Sequence, residues 1–295
     1  MNSTIACAEF IFALLLSTAT LALFAILAKR RQHSTKRTKC SVFNLLLVSI
    51  ASCALCFALS SCPWILLLME ILPNEQQISV ALWAPGLANR CIYSFYDTAM
   101  MALFIQRFAY VAAPVYARKL EKPLVIGAIA LGSCVTVTLV CVHVTNIPVG
   151  VRAVPDDCYT YSCLFPTTSP VRLSTVILKL ILTTGIILLG TVFLITHYKY
   201  RQHLQGGKYQ YMREMHFQKI ELNRFVCFVF YAKILFELIP FSLDLFMVKV
   251  FKTSLGQHIG PFSLIGCSID LLITTLVYCR TFCVRTIKVV AAVKR

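Results

Sequence analysis

Long apolar runs separated by short bursts of basic residues recur along this chain. A helix that crosses a bilayer needs about 20 predominantly apolar residues. Seven stretches meet that length: Ala6–Ala28, Val42–Leu68, Leu87–Ala113, Leu124–Ile147, Leu173–Thr196, Phe225–Phe246 and Ile259–Cys279. The third is interrupted by Arg90 and Asp97, and the sixth by Lys233, Glu237 and Asp244. Pro73-Asn74, Pro85-Gly86, Gly206-Gly207 and Gly260-Pro261 punctuate the connections. The pattern predicts an all-α membrane protein, with residues 1–295 forming a single seven-transmembrane helix bundle. The connections are too short to hold a soluble catalytic domain.

Composition narrows the class. Hydrophobic residues make up 58% of the 295 and charged residues 14%, with a mean hydropathy of +0.77. Those values exclude an ordinary soluble enzyme and a disordered chain. The net charge of +16 would suit a nucleic-acid partner, but no single basic domain gathers it, so the lipid bilayer is the expected partner instead. Of the 28 Lys and Arg residues, 21 fall in four places: residues 29–41, 107–122, 197–224 and the tail after 279. Only Glu121, Glu214 and Glu221 oppose them there. The positive-inside rule then puts the amino terminus outside and the carboxyl terminus inside. The first run has no basic residue before it, and Lys29-Arg30-Arg31 follow it. It therefore reads as a retained helix rather than a signal peptide.

Candidate chemistry is sparse. The six histidines lie on both sides without metal-ligand spacing inside the membrane, and no nucleophile elbow or phosphate-binding glycine loop is present. The sequence calls for no enzyme activity, no metal and no cofactor. Most of the 14 cysteines lie within spans, as small packing residues. Cys158 and Cys163 lie in the longest outward loop, and Cys91 is near the same face. The expected bridge joins Cys91 to one of the two loop cysteines, with a Cys158–Cys163 loop as the alternative. Asn2-Ser3-Thr4 fits the N-glycosylation pattern at Asn2. Charges inside spans are costly unless they are paired or functional. Lys233 and Glu237, four residues apart on one helix face, can pair with each other. Asp97 and Asp270 fall near mid-membrane, and Tyr93, Phe95, Phe241 and Phe262 sit towards the outer half. Tyr93, Asp97, Glu237, Phe241 and Asp270 are thus the candidates for an inward-facing ligand pocket.

The end of the third run reads Gln106-Arg107-Phe108, with Pro114 seven positions after the arginine. This resembles the rhodopsin-like pattern of Asp/Glu-Arg-Tyr followed by proline. Pro240 lies where such receptors carry a kink proline in the sixth span, and Tyr278 closes the seventh span like a reduced Asn-Pro-x-x-Tyr. Asn44 and Ile50-Ala51 are similar to the second-span pattern. The departures are Gln106 for the acid, Ala54 at the expected aspartate and Leu238 at a frequent tryptophan. Across its length the chain resembles a divergent seven-helix G-protein-coupled receptor, most of all the nematode serpentine chemoreceptor superfamily. An opsin is excluded, because Ile259–Cys279 holds no lysine for a Schiff base.

The resemblance implies a chemosensory receptor of the plasma membrane, sensory cilia included, that switches on binding a small extracellular molecule or peptide and acts on a heterotrimeric G protein. It makes Arg107 and Glu221 the inner switch pair. Arg118, Lys119, Lys219 and Arg224 become the G-protein-facing charges. The alternative is a small-solute transporter or channel without G-protein signalling, against which the sequence shows no paired halves.

Overall fold

The computed structural model of the chain describes residues 3–32, 41–72, 76–146, 154, 158, 161–165, 169–205, 213–251 and 262–283. Among these the long elements are all helices. They are α1 (Ser3–Gln32), α2 (Ser41–Leu68), α3 (Gln76–Ala112), α4 (Pro114–Thr145) and α5 (Pro170–Gln205). Then come α6 (Arg213–Lys233), α7 (Ile239–Phe251) and α8 (Phe262–Tyr278). A 3-10 turn, Tyr161–Leu164, precedes α5, and a π turn, Cys279–Cys283, extends α8. The all-α membrane-type bundle expected from the apolar runs is therefore present.

Among the described residues, six helical segments are long and apolar enough to cross a membrane: Ser3–Lys29, Val42–Leu68, Lys119–Thr145, Pro170–Tyr200, Leu222–Met247 and Ser263–Thr281. The helix left out is α3, which is polar by comparison but central. It packs on α2, α4 and α5 and touches α6. Among its described side chains the one large apolar group that is exposed is Phe108, whereas Leu15, Val48, Ile126, Val137, Ile181 and Leu188 point outward from α1, α2, α4 and α5. Helix ends depart from the apolar limits because a helix does not stop where hydropathy falls. Thus Pro85 and Gly86 lie within α3 rather than in a connection. Gly86 is required where it is: a Cβ there would come within 2.0 Å of the Tyr161 ring.

The third and fourth helices are joined by one non-helical residue. Ala113 has φ −146° and ψ 73°, and Pro114 starts α4 at a position where its missing N–H is not needed. Helix α4 therefore starts at Pro114 itself and carries Pro123 inside it.

The sixth apolar run is a helix with a widened turn in its middle. Residues Ile234–Leu238 form a π segment between α6 and α7, closed by the Ile239 N–H donating to the Ile234 carbonyl. Pro240 explains it. Proline has no N–H to offer the Phe236 carbonyl four residues back, and its ring would clash with that carbonyl in an unbroken α-helix. The displaced Phe236 carbonyl turns to α8, where it would stand 2.4 Å from a Cβ on Gly266. Only the hydrogen of a glycine fits that gap.

Aromatic clusters fix the two ends of the bundle. At one end Tyr278 is buried with its ring 5.2 Å from Phe43 and 6.4 Å from Phe225. At the other, Phe10 and Trp64 stack at 5.5 Å.

Candidate functional site

The helix-breaking charges of the third and sixth spans meet in one buried network. Lys233, in the last turn of α6, donates to Asp97 Oδ1 at 2.7 Å and to the Tyr93 hydroxyl at 3.0 Å. It also pairs with Glu237, four residues on. Tyr93 completes a ring by donating to Glu237 Oε2 at 2.6 Å. The ammonium lies 4.5 Å from the Tyr93 ring centre and 4.3 Å from that of Tyr96. Tyr96 in turn donates to Asp270 Oδ2 on α8 at 2.9 Å. Lys179 of α5 stands 3.8 Å from Glu237 Oε1. Two ammonium groups, Lys179 and Lys233, therefore face three carboxylates, Asp97, Glu237 and Asp270, the last of them reached through the Tyr96 hydroxyl. Buried charges are tolerated only in such arrangements. The expected Lys233–Glu237 pair is present, but it is shared with Asp97 rather than self-contained.

Above this network opens a cavity of about 460 Å³. Its walls come from the amino end of α1, the far end of α2, α3, α4, α5, the α6–α7 span and α8. Tyr93, Asp97, Glu237 and Phe241 all line it, so four of the five pocket candidates come together there. Asp270 is fully buried behind Tyr96 and is not on the wall. Phe95 faces α4 instead, against Gly132. Tyr161 and Phe165 close the rim. The Arg90 guanidinium sits 4.7 Å over the Tyr161 ring, and His143 stacks on that ring at 6.1 Å and meets Phe165 edge-on at 5.6 Å. Burial pushes the Tyr161 phenol above the ordinary tyrosine range, so it stays neutral.

At the opposite end of α3, Gln106 and Arg107 are buried. Arg107 Nη2 donates to Gln106 Oε1 at 3.5 Å, and its guanidinium lies 5.2 Å from the Tyr110 ring centre. The arginine is folded into the helix packing rather than reaching out to solvent. Lys119 and Arg224 are exposed. Glu221 and Lys219 fall on α6 and Arg118 on α4, but their side chains lie outside the described residues. Asn2, the glycosylation candidate, and the side chain of Phe262 do too. Asn223 meets His197 Nδ1 at 3.3 Å and ties α6 to α5 nearby.

The bridge expected from Cys91 is not formed: its thiol is free and buried. It packs with Leu87, Val135, Leu139 and Leu182 between α3, α4 and α5, an apolar site that suits a thiol as a small hydrophobe. Cys158 is buried separately against Phe10, Trp64 and Leu82, and the side chain of Cys163 lies outside the described residues. Cys91→Ser is accordingly expected to expose no new loop thiol to an impermeant maleimide. New labelling of a loop cysteine in that variant contradicts the packing role.

Lys179 and Tyr96 join the site without having been candidates in the sequence. Lys179 is an intramembrane lysine within the fifth apolar run, and the rule that singled out Lys233 applies equally to it. Tyr96 carries no sequence signal, since only the fold places its hydroxyl on Asp270. The chain matches no protein-family model and no curated protein.

Proposed function

We propose that the protein is a seven-transmembrane receptor, with α3 as the seventh span, that binds a small extracellular ligand in the cavity and passes the change to a heterotrimeric G protein. The observation that carries this reading is the placement of cavity and Arg107 at opposite ends of one helix. The two are linked through Asp97 to Lys233 at the widened turn of the sixth span. Asp97 lies ten residues before Arg107, about 15 Å along the axis. The enclosure of α3 by its neighbours supports a polar span, since a helix that barely meets lipid has no need of high hydropathy. The basic inner connections support an amino end outside at the plasma membrane. A free Cys91 favours the loop pairing Cys158–Cys163.

In this reading Glu221 holds Arg107 at rest, and outward movement of the sixth span releases it. Arg107→Ala is expected to abolish reporter output at parental surface level. Glu221→Ala is expected to raise output without ligand, because only the resting state loses a contact. Both are normalised by an amino-terminal tag stained on unpermeabilised cells. Normal signalling by Arg107→Ala, together with uptake of a solute by expressing cells, points to the transporter instead.

A further inference from the structure

The cavity holds one ammonium that differs from the rest of the network. The side chains of Lys233, Asp97 and Glu237 are 1–4% exposed, whereas Lys179 is 27% exposed and lies on the cavity wall. Its separation from Glu237, 3.8 Å, is too long for a hydrogen bond. Its other neighbours are the faces of Phe241 at 5.2 Å and Tyr93 at 5.7 Å. Ring faces attract a cation but accept no proper N–H bond. Among the described residues, then, Nζ has three N–H groups and no acceptor at bonding distance.

Glu237 is met on one side only. Oε2 accepts from Tyr93 and pairs with Lys233, while Oε1 has no hydrogen-bond partner among the described residues and faces the Lys179 ammonium at 3.8 Å. The carboxylate is enclosed at 1% exposure, so the group that reaches the open space is the lysine. Two further guanidinium groups, Arg90 and Arg172, stand on the same wall, against one carboxylate not tied to Lys233, that of Asp244. The rest of the wall is largely apolar and aromatic, including Phe10, Trp64, Leu139 and Phe165.

We propose that the cavity takes a lipophilic organic acid whose oxyanion binds Lys179 and whose apolar body lies among the aromatic side chains. This rests on the receptor reading only in using the same cavity. The oxyanion supplies the acceptors that Nζ lacks, in charge-assisted hydrogen bonds. The same contact draws Lys179 away from Glu237. Occupancy thereby loosens the one tie between α5 and the sixth span in this network, and the ligand's charge reaches the widened turn directly.

The test uses three molecules with one body: 4-phenylbutyrate, 4-phenylbutanol and 4-phenylbutylamine. Each is titrated into the purified full-length protein in lipid nanodiscs, with thermal unfolding as the readout. The acid is expected to raise the unfolding temperature in a saturable way, and the alcohol and amine to leave it unchanged. Lys179→Met is expected to weaken the acid's effect roughly tenfold or more. Lys179→Arg, which keeps the cation, is expected to retain most of it. The unfolding temperature of each variant without ligand shows that it folds. Stabilisation by the amine in place of the acid overturns the proposal. So does equal stabilisation by all three, none by any, or an unchanged response in Lys179→Met. Because no G protein is present, saturable acid binding without reporter output in cells contradicts the receptor reading and leaves the ligand class standing. Reporter output with no acid binding does the reverse.

Discussion

Replacing Lys233 by Met is expected to remove most folded protein from the cell surface. The lysine is the common partner of Asp97 and Glu237, each about 2% exposed. Without it three buried carboxylates, those of Asp97, Glu237 and Asp270, remain in a low-dielectric interior with only Lys179, at 3.8 Å from Glu237, to offset their charge. Breaking a buried pair from one side costs about 3–5 kcal/mol, because the abandoned charge cannot return to water. That is a large share of a typical folding free energy of roughly 5–15 kcal/mol. Asp97→Asn is expected to do far less harm, since Lys233 keeps Glu237 and the Tyr93 hydroxyl. The informative variant is the quadruple change Lys233→Met, Asp97→Asn, Glu237→Gln, Asp270→Asn. It leaves no carboxylate of the network stranded and is expected to recover a monodisperse peak in detergent that the single Lys233→Met variant lacks. A single variant that expresses and solubilises like the parent shows that the network adds nothing to stability.

The second large effect is expected at Gly266. A methyl group there meets the Phe236 carbonyl at 2.4 Å, and backbone cannot swing aside as a side-chain tip can. Gly266→Ala must push α8 off the widened turn, at about 1–3 kcal/mol for an overpacked contact. Gly266→Leu extends the clash and is expected to prevent assembly. The control lies on α4, where a Cβ at Gly127 meets nothing within 4 Å. Gly127→Ala replaces a poor helix former by a good one and gains up to roughly 1 kcal/mol. Thermal unfolding of the two alanine variants should therefore move in opposite directions. A parental unfolding temperature for Gly266→Ala means that the two helices are not in close approach.

Sequence patterns that depend on neighbours along the chain proved readable, and those that depend on neighbours across it did not. The apolar runs located the helices because lipid forces every backbone group to be satisfied within its own segment. Asp97, Lys233 and Glu237 stood out because a charge in a span demands a partner. The same demand did not identify which partner, so Lys233–Glu237 looked self-sufficient where Asp97 and Tyr93 share it. Pro240 announced a disturbance in the sixth span, but nothing at Gly266 marked it as the residue that receives the displaced carbonyl. Pro85-Gly86 looked like a turn for a related reason. A glycine placed for close approach and one placed for chain reversal are the same letter, and only the Tyr161 ring distinguishes them. Cys91 was assigned by its depth in the chain, whereas its apolar neighbours on three helices decide that it stays reduced.

The single residue between α3 and α4 restricts how these two helices can move against each other. One residue spans at most roughly 3.6 Å, and Ala113 is all the slack that separates the two rods. A displacement at Arg107 larger than that must drag the start of α4 with it, so these two helices behave as one elbow with a short pin.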